Sequence, residues 1–270
     1  MVEHHLAKVR VAGSNPVVRS IRIVSRAACI LVSCLMTLGS AACGSEARYD
    51  AVVAAASDTR DAFVEVAALA KAQSDVDIGF VFGSSGLLRE QVIAGAPYDV
   101  YVAANTAFVD DVIASGEGLS TTRESFAVGR LALITASDVE LPNSLQAIAT
   151  FSRIVIANPA HAPYGVAARE TLERLGVHEE VESRLILADN VADAVRIVRA
   201  GEAQAGLVAL SLVIDASHLV VAPELHQPIR QALVVTTKGV NNPAAKAFIN
   251  ALMSPAGRAI LQRYGFMVES

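Results

Sequence analysis

Short apolar runs alternate with longer amphipathic segments along the chain from about residue 49 onward. Runs such as VDIGFVFG and YDVYVAAN are almost continuously apolar, whereas DTRDAFVEVAALAKAQ places its apolar residues at helical spacing. Buried parallel strands are nearly continuous in apolar residues, and strands that alternate with helices are typical of βαβ units. The pattern therefore predicts an α/β fold with mostly parallel sheets that are flanked by helices.

Two short connectors interrupt this alternation, TTRESFAVG at 121–129 and APELHQPIRQ at 222–231. Both look like crossovers between two lobes. On this interpretation residues 49–126 plus 228–270 form the first lobe and residues 127–227 form the second. We expect a ligand cleft between the lobes, since clefts of this kind are common binding sites.

The first 47 residues are predicted to be an export signal. Three arginines between positions 19 and 26 precede AACILVSCLMTLGSAAC, an uncharged apolar run of signal-peptide length. Two processing routes remain open: acylation of Cys43, which would anchor the protein to lipid, and cleavage after SEA, which would release it. We favour soluble export to the periplasm. The first 20 residues are unusually long for a signal-peptide start, which is consistent with a true start codon further downstream.

Composition excludes several classes of protein. Of the 270 residues only 5% are aromatic, there is no Trp, and the net charge is −5, all of which argue against a nucleic-acid partner. All three cysteines lie in the first 43 residues, so no thiolate site or disulfide framework is expected beyond them. Phosphate-loop and nucleophile-elbow motifs are absent and the later histidines stand apart, which predicts neither an enzyme nor a cofactor.

Four junctions between a strand and a helix carry small polar residues or exposed amides. Their key positions are Ser57 and Asp58 in AAASDT, Ser84 and Ser85 in FGSSGL, Tyr164 in NPAHAPYG, and Val191 in ADNV. Helix N-termini present free N–H groups and the positive end of the helix dipole, so they bind anions. The same residues also serve as ordinary helix caps. Because all four follow strands, where open α/β sheets bind ligands, we expect them to form an anion site.

These segments resemble the periplasmic molybdate-binding proteins of ABC importers. The resemblance is carried, in order from about Val52 to Phe266, by AAASDTRDAF, FGSSGLLREQVIAGAPYDVYVAAN, IANPAHAPYGVAARETLERLG, AGEAQAGLV and LMSPAGRAILQRYGF. It implies a two-lobed binding protein of the type II periplasmic binding protein family, a monomer without catalysis or cofactor. Such a protein captures molybdate, and usually tungstate, between its lobes and presents it to an ABC permease.

The resemblance also implies which residues contact the oxyanion. Ser57 and Ser85 would each offer a hydroxyl and an amide, Asp58 its amide alone, and Tyr164 and Val191 their backbone N–H groups. A carboxylate beside an anion is repelled, so we expect the Asp58 side chain to point to solvent or to cap its own helix. We also expect Ser84 to cap or pack and Ser85 to face the cleft.

One position departs from the family pattern. Some members supply a tyrosine hydroxyl from the strand that ends at GLVAL, where this chain has Ala209, and Ser211 is a potential substitute. Two alternatives to molybdate binding stay open, the first of them supported by Ala209. The same fold could bind another oxyanion or a small organic acid, or Ser85 could be the nucleophile of a hydrolase.

Overall fold

The computed structural model describes residues 49–268; the export signal and Cys43 lie outside the described residues. The strands are β1 Ala51–Ala56, β2 Ile78–Gly83, β3 Val100–Ala103, β4 Glu124–Gly129, β5 Leu131–Thr135, β6 Ile154–Ala157, β7 Leu185–Ala188, β8 Ala205–Ala209, β9 Leu219–Val220 and β10 Ile229–Val235. The α-helices are α1 Arg60–Ser74, α2 Ser85–Ile93, α3 Thr106–Ala114, α4 Pro163–Arg174, α5 His178–Val181, α6 Val191–Arg199, α7 Pro243–Met253 and α8 Pro255–Arg263. Short 3-10 turns include Ser57–Thr59 and Leu210–Leu212.

The strands form two five-stranded sheets, with the orders β2-β1-β3-β10-β4 and β7-β6-β8-β5-β9. In the first sheet β1 pairs in parallel with β2 and β3, while β10 is antiparallel to β3 and β4. In the second sheet β6 pairs in parallel with β7 and β8, while β5 is antiparallel to β8 and β9. One strand of each sheet therefore runs against the other four, which confirms the predicted α/β class with mostly parallel sheets.

The chain passes between the two sheets twice. It leaves the first sheet after Gly129 at the end of β4 and enters the second at Leu131, the first residue of β5. It returns between Val220, which ends β9, and Ile229, which begins β10. The finer lobe limits, 49–126 plus 228–270 and 127–227, stay a prediction.

The apolar strands are covered on both faces, as their composition predicts. In β1, Val53 and Ala55 pack into one cluster with Phe63 and Phe248, whereas Ala54 between them packs into a cluster on the opposite face. Successive side chains of a strand point to opposite faces, so both faces can be buried only when nearly every residue is apolar. The second sheet has its own apolar core.

The segment AGAP ends α2 as the sequence predicts. Gly95 has φ +85°, a left-handed conformation that glycine adopts without a steric cost, and its N–H donates to Val92 O at 2.9 Å. Among the helices of residues 49–268, none has the length and apolarity needed to cross a bilayer.

Candidate functional site

The four strand-to-helix junctions lie together around one cavity. Its lining contains every predicted site residue, together with neighbouring small residues: Ala56, Ser57, Asp58, Gly83, Ser84, Ser85, Ala104, Ala162, Pro163, Tyr164 and Val191. The first sheet contributes the residues that follow β1, β2 and β3, and the second sheet contributes those that follow β6 and β7. The cavity is small, about 10 Å³.

Helix N-termini surround the cavity, and its lining has no cationic side chain. The 3-10 turn at Ser57 leads into α1, and α2, α4 and α6 begin at lining residues, so four helical segments start at the cavity. None of the lining residues is Lys, Arg or His. Arg60 lies over the ring of Phe82, 5.7 Å from its centroid, and Arg89 pairs with Asp111 at 2.7 Å. N–H groups and helix dipoles are therefore what the cavity offers an anion.

The three serines make different contacts. Ser57 Oγ accepts from the N–H of Ala192 at 3.3 Å, which joins the junction after β1 to the first turn of α6. Ser85 Oγ accepts from the N–H of Ala104 at 3.1 Å, within the first sheet's own loops. Both hydroxyls thus lie at the cavity with an oxygen that already accepts one bond, which leaves their O–H groups free to donate to an anion.

Ser84 packs across the cleft. Its Oγ donates to the carbonyl oxygen of His161 at 2.6 Å and lies 2.8 Å from His161 Nδ1, and its side chain does not cap α2. This matches the packing role expected for Ser84, although which of the two serines contacts a ligand stays a prediction. His161 was missed by sequence reasoning, since a single histidine in a loop gives no signal of its partner.

Two glycines beside the site permit close backbone contacts. Gly86 N–H donates to His161 O at 2.9 Å, and a Cβ at Gly86 would lie 2.8 Å from that same oxygen. A Cβ at Gly165 would lie 2.1 Å from Ala157 O, where α4 begins against the end of β6. Gly86 of GSSG and Gly165 of PYG are therefore required by the close approach of backbone.

The expectation for the Asp58 side chain is wrong. The residue is only 1% exposed, and the carboxyl points neither to solvent nor to its own helix end. Its Oδ2 accepts from Gln231 Nε2 at 2.6 Å, because the tight turn after β1 directs the side chain inward toward β10. Burial raises the pKa of Asp58 to about 7, more than the contacts with Tyr164, Gln231 and its own backbone lower it.

Gln231 is the second residue that sequence reasoning missed. It is fully buried within β10, beside a register shift between Gln231 and Ala232 in the pairing with β4. The signal was a lone amide in the otherwise apolar run QALVV. A buried amide must be hydrogen-bonded, so this residue marks a polar partner inside the fold.

Neither Ala209 nor Ser211 lines the cavity. Ala209 is buried in the core of the second sheet. Ser211 donates to the backbone oxygen of Asp58 at 2.7 Å, so it fastens the turn after β1 from the other lobe and does not replace the family's tyrosine at the cavity. The tyrosine that does reach the site is Tyr164, which is buried, and burial beside Asp58 raises its pKa well above the ordinary value.

Residues 51–267 match the model of a protein family described as bacterial extracellular solute-binding protein. The chain belongs to this family. A relative named molybdate-binding protein ModA from Rhodobacter capsulatus is 30% identical over 224 residues, which cover 82% of this chain and 89% of that protein. The protein of the same name from Azotobacter vinelandii is 34% identical over 196 residues, covering 70% of this chain and 78% of that protein.

The fold agrees with a solved member of this group. The structure described as Azotobacter vinelandii periplasmic molybdate-binding protein superposes with a TM-score of 0.76 at 26% sequence identity, covering 82% of this chain and 100% of that chain. The relatives are solute-binding transport proteins.

Proposed function

We propose that this protein captures molybdate in the cavity between its sheets and delivers it to the permease of an ABC importer. The observation that carries the proposal is the meeting of four helical N-termini and the hydroxyls of Ser57 and Ser85 at a cavity without cationic side chains. Solute-binding relatives named for molybdate support it. Tungstate has the same shape and charge, and the proposal extends to it.

The proposed contacts run to the oxygens of the oxyanion and not to molybdenum. Ser57 and Ser85 each donate from hydroxyl and amide, and the N–H groups of Asp58, Tyr164 and Val191 complete the set. A hydrogen bond to a charged group contributes about 1.5–3 kcal/mol. About six such bonds support micromolar or tighter binding after an association cost of several kcal/mol.

Fixed neutral donors also discriminate between oxyanions. A smaller sulfate leaves some donors unpaired, and phosphate, which is protonated at neutral pH, directs its own O–H against a donor. The small volume favours an inorganic ion over an organic acid. A cavity of about 10 Å³ has room for about one water molecule, so an organic acid fits it less well than an inorganic oxyanion.

A hydrolase is the less favoured candidate. The serine nearest a base is Ser84, but its hydroxyl donates to the backbone oxygen of His161, so the imidazole is not placed to remove that proton. Ser85 Oγ has a backbone N–H as its partner and no base among the described residues. Activation of a serine requires a base that accepts its hydroxyl proton; Ser85 has no such base, and the hydroxyl of Ser84 donates to a carbonyl oxygen instead.

The remaining parts of the proposal concern the protein's surroundings. We infer a monomer in the periplasm, exported by the segment before residue 48, and either released or anchored through Cys43. Its partners are the oxyanion and the permease, without a nucleic acid or a cofactor.

Titration calorimetry on the purified exported protein tests the proposal. We expect heat with molybdate and tungstate, a rise in melting temperature with either ion, and much weaker binding of sulfate and phosphate. An absence of heat with molybdate, or equal affinity for sulfate, would contradict it.

A further inference from the structure

Three buried polar side chains lie together directly behind the cavity: Asp58, Tyr164 and Gln231, here called the Asp58 cluster. None is more than 2% exposed. Asp58 follows β1 and Gln231 lies on β10, both of the first sheet, whereas Tyr164 is in the first turn of α4 beside the second sheet. The crossover between the sheets also packs here, since a Cβ at Gly129 would lie 2.2 Å from Tyr164 Oη. The cluster therefore joins both lobes and one crossover.

The hydrogen bonds of the cluster are incomplete. Gln231 Nε2 donates to Asp58 Oδ2, but Asp58 Oδ1, Gln231 Oε1 and Tyr164 Oη are buried without a hydrogen bond of normal geometry in the described part of the chain. Buried polar atoms are nearly always paired, so three unpaired atoms at one place need an explanation. Ionised Asp58 only accepts, as does Gln231 Oε1, whereas a protonated carboxyl adds an O–H donor. A proton on Asp58 thus improves the balance of donors and acceptors.

Nearby charges do not offset an ionised Asp58. The elements packed against its turn include α1, α6 and the turn Leu210–Leu212, and the last carries no charge. Helix α4 reaches Asp58 through Tyr164, and the charged residue of α4 nearest to Tyr164 in the sequence is Arg169. The charged residues nearest along these elements and along β10 are Arg60, Asp61, Asp193, Arg196, Arg199 and Arg230. None of them contributes appreciably to the pKa of Asp58, and Tyr164 is the titratable group in contact with it.

The proposed ligand acts on the same carboxyl. Asp58 is among the residues that line the cavity and is buried, so a bound dianion would sit close to its side chain in a region of low dielectric. A nearby negative charge disfavours the ionised form and adds to the effect of burial. Both effects favour the neutral acid.

We propose that Asp58 takes up one proton from solvent when the oxyanion binds, so that the closed site contains a neutral carboxyl held by Gln231 and Tyr164. The inference rests on the proposed function. Asp58 is a positioning residue, since its N–H faces the ligand while its side chain closes the cluster. Affinity then falls as the pH rises through the interval between the pKa of Asp58 in the free protein and its higher pKa in the complex.

The test is calorimetry with molybdate at pH 7.5 in two buffers of different ionisation enthalpy, such as HEPES and Tris. The difference in heat gives the number of protons taken up, which we expect to be a substantial fraction of one. Asp58→Asn preserves the shape and the contact with Gln231 but cannot titrate, so its uptake should fall to near zero. Between pH 6 and pH 8.5 the wild-type affinity should fall by about tenfold, and that of D58N by less than about threefold.

Asp75→Asn is the matched control, because Asp75 is an exposed acid at the end of α1. It should keep the wild-type proton uptake. If the wild type binds molybdate without taking up a proton, or if D58N takes up as many protons as the wild type, the inference is overturned while molybdate binding stands. If molybdate gives no heat at all of these pH values, the proposed function itself is overturned, and the coupling to a proton with it.

Discussion

The two walls of the cavity offer an anion different groups. The wall from the first sheet carries side-chain hydroxyls that are free to donate, those of Ser57 and Ser85. The wall from the second sheet has apolar side chains at Ala162, Pro163 and Val191, so its donors are the backbone N–H groups at the starts of α4 and α6.

This difference determines how each wall is probed. A hydroxyl donor is removed by one ordinary substitution, whereas a backbone donor survives every replacement except proline. A sequence comparison of the second wall therefore reveals little about binding, because the chemistry lies in the chain geometry and not in the side chains. The following predictions test the two walls separately and then the cluster that joins them.

Val191→Pro should cause the largest loss of affinity for molybdate. Val191 is the first residue of α6, where proline is tolerated, and Asn190 before it is extended with ψ 173°, as a residue before proline should be. The substitution removes one N–H from the second wall and leaves the helix in place. Molybdate affinity measured by calorimetry should fall roughly 10- to 150-fold, the equivalent of one charged hydrogen bond.

Val191→Ala is the control for this change, since it shortens the buried side chain but keeps the N–H. Its affinity should stay within a few-fold of the wild type. If V191A loses as much affinity as V191P, the second wall acts through its side chains and the contrast between the walls fails.

Ser57→Ala and Ser85→Ala should each weaken binding by about tenfold, because each removes a hydroxyl but keeps the amide of the first wall. Ser115→Ala, at the exposed end of α3, provides a matched change far from the cavity and should leave affinity unaltered. Circular dichroism should show an intact fold in all three variants. Unchanged affinity in both S57A and S85A would remove these hydroxyls from the site.

A further prediction concerns the stability of the protein without ligand. The pKa of Asp58 is about 7 in the folded protein and close to 3.9 in an unfolded chain, so the folded state binds the proton more tightly. The stabilisation is complete below the unfolded value and is lost as the pH rises through about 7. From pH 5 to pH 8 the wild type should lose on the order of 2 kcal/mol, or about 5 °C in Tm, relative to D58N.

Thermal unfolding of both proteins at several pH values measures this difference. Parallel curves for wild type and D58N would mean that Asp58 titrates normally despite its burial. If only the wild type loses stability as the pH rises, Asp58 is the group responsible. The stability of the ligand-free protein would then depend on the same carboxyl that we propose takes up a proton on binding.

Local sequence signals predicted the parts of the site that depend on neighbouring residues alone. The alternation of apolar and amphipathic segments predicted the α/β class, and Gly95 predicted the end of α2. The four junctions predicted residues that line the cavity. Each of these features follows from backbone geometry and periodicity within a dozen residues, which a single sequence displays directly.

The placement of the buried polar side chains was decided by the tertiary structure. The Asp58 side chain was expected to point to solvent or to cap its own helix, because a carboxylate repels an anion, yet Gln231 hydrogen-bonds it from 173 positions away in the chain. Ser84 meets His161 across 77 positions in the same way. These partners come together only when the two sheets face each other. The sequence by itself therefore predicted the residues that line the cavity, and the packing of the sheets decided the surroundings of Asp58, the acid in that lining, and hence its raised pKa.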